Sequence, residues 1–112
     1  MPDISAYHAH IYFDASTAAQ AGKLCDTAGE KFAVPVGRKH QQPVGPHPCW
    51  SCQITFKPEL FGVLIPWLAL NRKGLTVFIH PVTGDDLMDH TEYAIWMGKI
   101  EPLKLDIFKA GK

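Results

Sequence analysis

Residues 7–13 read Tyr7-His8-Ala9-His10-Ile11-Tyr12-Phe13. Successive side chains of an extended strand point to opposite faces. Tyr7, Ala9, Ile11 and Phe13 therefore share one face, and His8, His10 and Tyr12 share the other. The first set is apolar and suits a core. The second roots two imidazoles roughly 7 Å apart, close enough for both to reach one metal ion. A solvated strand face that merely contains histidine would look the same in isolation. The placement of His40, His47, His80 and His90 has to decide between the two.

Outward from this strand, Asp14-Ala15-Ser16-Thr17 offers N-cap candidates. Ala18, Ala21, Cys25, Ala28 and Phe32 follow at three- and four-residue steps, the stripe of a helix that packs on a sheet. Val34–His40 reads as a short second strand whose proline, glycine and charges suit an edge. The loop Gln41–Pro48 has three prolines in eight residues, and His47 lies between two of them, biased toward extended backbone. Trp50–Phe56 alternates as a third strand with Trp50, Cys52, Ile54 and Phe56 on one face. Pro58 suits the first turn of a second helix, with Leu60, Phe61, Leu64 and Leu68 as its stripe and Gly74 as its stop. Pro66 should kink or split that helix. Leu75–Ile79 is a fourth strand ending at His80-Pro81. Leu87–Met97 reads as a third helix closed by Gly98, and Leu103–Ile107 as a further edge strand.

Strand–helix–strand–strand–helix–strand is the order of a split βαβ unit. The expected fold is α+β: a ferredoxin-like sandwich with a four-stranded antiparallel sheet and helices on one face, plus a C-terminal helix and edge strand. A chain of 112 residues makes one such domain, residues 1–112. The first and third strands are expected side by side and parallel at the centre, with the second and fourth outside. That placement gathers His8, His10, His40, His47 and His80 at one edge of the sheet, five of the six histidines.

Composition narrows the function. Eleven basic and eleven acidic residues cancel, which leaves no electrostatic footprint for nucleic acid. Met1–Ser5 lacks the features of a signal peptide, and Leu60–Leu70 is too short to span a bilayer. A cytoplasmic protein without a membrane partner is expected. Three cysteines make no disulfide framework. Cys49-Trp50-Ser51-Cys52 matches C-x-x-C, but it precedes a strand rather than opening a helix, which argues against a redox site. A zinc knuckle lacks its second cysteine pair.

Imidazole-rich sites suit zinc, copper or iron, and an open catalytic site suits this set better than a closed structural one. Carboxylates that might complete it are Asp85, Asp86, Asp89 and Glu92. Asp86 and His90 stand i and i+4 on the predicted third helix.

Several segments resemble the DOPA 4,5-dioxygenase family of fungi and bacteria. They are Tyr7–Phe13, Gly45-Pro46-His47-Pro48, Val63–Leu68, Asn71–Pro81, and Asp89-His90-Thr91 through Trp96-Met97-Gly98. The resemblance implies a ferredoxin-like fold, a non-haem Fe(II) site (one that zinc or another divalent ion can fill in purified protein) and extradiol cleavage of a catechol such as DOPA. It matches His8, His10, His47, His80 and His90 to the family's histidines. On that footing His10, His47 and His80 are the expected metal ligands, the last two stiffened by the prolines that follow them. His90 and His8 are the expected acid–base groups. Tyr12 and Trp50 offer ring surfaces to substrate, and Arg38 or Lys39 a cation for a substrate carboxylate. The partners implied are a small aromatic substrate and dioxygen. A homodimer is also expected, formed by burying the open sheet face that carries Tyr12, Thr55 and Phe78. Two other functions fit the same residues: a non-enzymatic module for a metal or aromatic ligand, and a cofactor-free quinone-forming monooxygenase. Metal content separates them.

Overall fold

A computed structural model describes residues 2–109. Strand β1 (Ala6–Phe13) leads into helix α1 (Ala18–Phe32), followed by β2 (Trp50–Phe56), helix α2 (Phe61–Asn71), β3 (Val77–Val82), a one-turn helix α3 (Asp86–Asp89) and β4 (Ile95–Met97). The four strands form one antiparallel sheet in the order β2-β1-β3-β4, with β1 paired on both sides. This is the expected α+β, ferredoxin-like arrangement, with several changes of detail.

Residues Val34–His40 do not form a strand. They touch β2 only at two isolated bridges, Val36 with Ile54 and His40 with Ser51. Pro35 has no N–H to donate, so the ladder breaks there and the segment remains a frayed edge. Trp50–Phe56 runs antiparallel to β1, not parallel, with Phe13 opposite Trp50 and Tyr7 opposite Phe56. In a split βαβ unit the inserted strand must run against its neighbour, and the parallel expectation was wrong.

The helix expected over Leu87–Met97 ends at its first turn. Asp85 caps α3 by accepting from the Met88 N–H. The chain then turns so that Ile95–Met97 pair with Val77–Ile79, and Gly98 closes the strand at φ 85°. The segment expected as a C-terminal edge strand is instead a 3-10 turn, Leu105–Phe108. Helix α2 passes through Pro66 unbroken. The carbonyl that loses its partner there is that of Gly62, and both residues are exposed, so water can take the place of the missing donor.

The apolar core lies between the helices and one face of the sheet. Ala9 and Ile11 from β1, Ile54 from β2, Ile79 from β3, Ala28 from α1 and Leu64 from α2 are all fully buried there. Cys25 of α1 and Cys52 of β2 meet in this layer and are disulfide-bonded, leaving Cys49 free. No pairing was expected from three cysteines. Cys25 lies on the stripe of α1 and Cys52 on the inward face of β2, and the packing of helix on sheet brings them together.

The opposite face is not open. Tyr12 and Phe78, expected to await a second copy, are 4% and 0% exposed within this one chain. Trp96 stacks on Phe78 at 4.6 Å. The loop carrying His47 and the segment ending at Phe108 meet over this side of the sheet, where the Lys104 N–H donates to the Pro46 carbonyl at 2.8 Å. Thr55, the third residue expected on that face, is half-buried, so the face is covered at Tyr12 and Phe78 and only in part elsewhere. No helix of the described residues is long and apolar enough to cross a membrane.

Candidate metal centre

Strand parity sets the site. His8 and His10 project from the face of β1 opposite the core, and His80 lies directly across from His8 in the β1–β3 register. Directly opposed side chains on one face sit within about 5.5 Å at their Cβ atoms. One ring nitrogen from each of His8, His10 and His80 therefore falls in a group whose members are all within 4.8 Å of one another. The Nε2 atoms of His10 and His80 are 3.1 Å apart.

Hydrogen bonding orients these rings. His80 Nδ1 lies 2.8 Å from the carbonyl oxygen of Pro81. A carbonyl can only accept, so Nδ1 carries the proton and the Nε2 lone pair faces the cleft. His90 is held the same way, its Nδ1 donating to the Asp86 carbonyl at 2.7 Å. The expected His90–Asp86 relation is thus made with the backbone, not with the carboxylate. His47 differs. Its Nδ1 is 2.8 Å from the Tyr12 hydroxyl, a group able to donate or accept.

Electrostatics keep the cluster uncharged. Burial, and then the neighbouring His47 and His80, hold His10 well below the ordinary imidazole value. Burial, then His90, pushes His47 down to about 4. Burial likewise brings His80 to about 4, against the Pro81 hydrogen bond and with His90 adding to the fall. His8 is lowered by burial and by His90, with Asp89 opposing. Neutral imidazoles are the form that ligates metal. Two nitrogens bound to one ion at about 2.1 Å each stand roughly 3–3.4 Å apart, which the His10–His80 spacing matches. The donor set fits a divalent transition metal with positions left open.

A cleft of about 240 Å³ opens on this cluster. It is lined by His8, His10, His47, His80 and His90, by Gln53, Asp86 and Asp89, and by Pro46, Val82 and Phe108. The His10 and His47 rings are 4.1 Å apart, and so are those of His80 and His90. Five histidines meet, the five that the family resemblance matched and not the five drawn from strand order. His40 pairs with Ser51 at the Tyr12 end of the sheet and stays outside the cleft. His90, expected at the margin, lies against His80. The nitrogens close enough to share one ion are those of His8, His10 and His80, so His8 stands where His47 was expected.

The remaining expected site residues are dispersed. Tyr12 is buried beneath His47 and binds it. Trp50 packs at 6.0 Å on Phe13 on the core side. Arg38 is exposed and does not line the cleft. Among the candidate carboxylates, Asp89 is 1% exposed, with one oxygen accepting from the Thr83 hydroxyl at 2.6 Å and the other from the Thr83 N–H at 3.0 Å. Gln53 was missed, although its parity was legible: it shares a face with Ser51 and Thr55, opposite Trp50 and Ile54. Nothing in the sequence pointed to Phe108.

Residues 7–107 match the family described as the Dopa 4,5-dioxygenase family. The chain is 36% identical to a "DOPA 4,5-dioxygenase" of Amanita muscaria over 92% of its own length and 49% of that protein's. It is also 36% identical to an uncharacterized 21.2 kDa protein of Botryotinia fuckeliana, covering 93% of this chain and 63% of the other. It thus spans about half to two thirds of these relatives. Among solved structures, a Nostoc punctiforme protein described as a "putative dioxygenase" superposes with a TM-score of 0.92 at 40% identity, over 95% of this chain and 92% of that one.

Proposed function

Because this chain belongs to the Dopa 4,5-dioxygenase family, we propose that it is a non-haem iron dioxygenase that opens the ring of a small catechol in the extradiol manner. One observation carries the reading beyond the family name. Ring nitrogens of three imidazoles, two of them buried and one half-buried, lie within 4.8 Å of one another in a cleft.

In this reading His8, His10 and His80 hold a ferrous ion. When bound, that ion supplies Lewis acidity toward the catechol and the electron chemistry that dioxygen requires. The chain's own residues do the rest. The His80 ring, fixed through Nδ1, would hold the ion in one place beneath the substrate, and such positioning is a large part of the gain for two small reactants. A catechol must lose a phenolic proton before it reacts. His47 and His90 line the cleft outside the three-nitrogen group, where an imidazole can take that proton. The Tyr12 hydroxyl, accepting or donating as required, lets the Nδ1 of His47 be protonated or free. Phe78, fully buried behind His10 and His80, keeps water from the back of the site.

The test is anaerobic reconstitution with Fe(II), followed by dioxygen uptake with a panel of substituted catechols while absorbance is watched for a yellow ring-opened product. Uptake of one dioxygen per catechol with that product supports the reading. Metal binding without uptake for any catechol would reduce the protein to a metal-binding module.

A further inference from the structure

Phe108 sits at the outer end of a column of rings. Its centroid lies 4.4 Å from that of His90, His90 lies 4.1 Å from His80, His80 5.2 Å from His10, and His10 4.1 Å from His47. Four imidazoles are thus capped by one apolar ring. Phe108 takes no part in the apolar core beneath the helices. It is half-buried and lines the histidine cleft. The 3-10 turn that carries it packs on α3, and just upstream Lys104 is bonded to Pro46 in the loop that bears His47. The chain therefore spends a fixed backbone contact on holding an aromatic side chain over a polar site.

The chemistry of the lining suggests what the ring is for. Besides Phe108, the apolar lining consists of Pro46 and Val82 alone, and every other lining residue has a polar side chain. A ligand whose oxygens face the histidines needs an apolar contact for the rest of its surface, and small-molecule sites provide one through aromatic walls. Of the three apolar residues only Phe108 offers a ring face. We propose that Phe108 is a specificity-determining residue whose ring contacts the aromatic ring of the substrate. The substrate class rests on the dioxygenase reading above; the contact itself does not require turnover.

The experiment uses the full chain loaded with Zn(II) and titrated anaerobically with 4-methylcatechol, read by the fluorescence of tryptophan, Trp96 being stacked at the same face. Phe108→Ala should bind roughly tenfold more weakly than wild type, the size of a lost aromatic contact. Phe108→Leu should fall between them, and Phe108→Tyr should stay near wild type. Zinc content should not change in any variant. Equal affinities in all four proteins would overturn the proposal, as would a wild type that fails to bind the catechol. Loss of zinc from Phe108→Ala would show that the ring props up the histidines instead. Wild-type affinity in Phe108→Leu would reduce it to simple apolar cover. Circular dichroism checks folding, and should Phe108→Ala unfold, the Leu and Tyr variants still decide. Catechol binding without dioxygen uptake in the Fe(II) protein would fail the dioxygenase reading and leave the Phe108 contact standing.

Discussion

The two faces of the sheet are covered by different means and to different degrees. On the helix side Ala9, Ile11, Ile54 and Ile79 are fully buried under α1 and α2. On the other side His10 and His80 are each 4% exposed while His8 and Gln53 are only half-buried, and the cover is a proline-rich loop, the segment that ends α3 and a 3-10 turn. The first face buries carbon against carbon and contributes stability. The second buries imidazoles whose neutral form is the only one the surroundings favour. Thin irregular cover excludes bulk water while leaving a cleft, which a layer of helix packed on the same face would fill. One sheet thus separates the work of holding the fold from the work of the site.

The largest effects should fall on metal binding. His8→Ala should lose its metal and all turnover, while His47→Ala should keep its metal and turn over catechols at least roughly tenfold more slowly, the low end for lost acid–base help. Metal analysis beside steady-state rates reads both. A metal-free His47→Ala with a fully loaded His8→Ala would move the ligand set back toward the one expected from sequence.

Stability should divide the other way. Ile54→Ala, on the helix side, removes fully buried carbon from a packed layer and should cost about 2–5 kcal/mol, measured by urea denaturation. Its metal affinity in the folded state should be unchanged, since the histidines stand on the far side of the sheet. An Ile54→Ala protein of wild-type stability would break the contrast between the faces.

The most gradual effect is in pH. His47 and His80 have folded values near 4, below the ordinary 6.5 of the unfolded chain. Between those values the unfolded state binds more protons than the folded one. The stabilising contribution is therefore complete above about pH 6.5 and is lost as pH falls toward 4, by up to about 1.4 kcal/mol per pH unit for each histidine. Urea midpoints of metal-stripped protein should fall between pH 7.5 and pH 5. Saturating Zn(II) should move the loss to lower pH, because metal competes with protons for the same nitrogens. A flat profile in the metal-stripped protein would show that the histidine face is wetter than its burial indicates.

Much of this was legible in residues 7–13. Parity alone separated Ala9 and Ile11 from His8 and His10, and it placed Ile54 inward. The same rule puts Gln53 on the histidine side and Trp50 on the core side, away from its expected place against substrate. The helix expected over Leu87–Met97 failed for another reason. Tyr93, Ile95 and Trp96 suit a strand as well as a helix stripe, and a short apolar run does not decide between them. Pairing with Val77–Ile79 does.

The sequence by itself determined which side chains share a face, because alternation along a strand is a local property of the backbone. It also determined that imidazole, and not thiolate or carboxylate, would dominate the site. Only the tertiary structure decided which imidazoles meet. That choice depends on register: His80 opposes His8 and not His10 because β3 pairs at one offset rather than another, and a shift of a single residue would turn its ring to the other face. The structure likewise decided that His90 enters the cleft while His40 stays out, and that Phe108 closes it. Those three side chains arrive on a one-turn helix, a frayed edge and a C-terminal turn, whose positions follow from packing on the sheet and not from any period in their own residues.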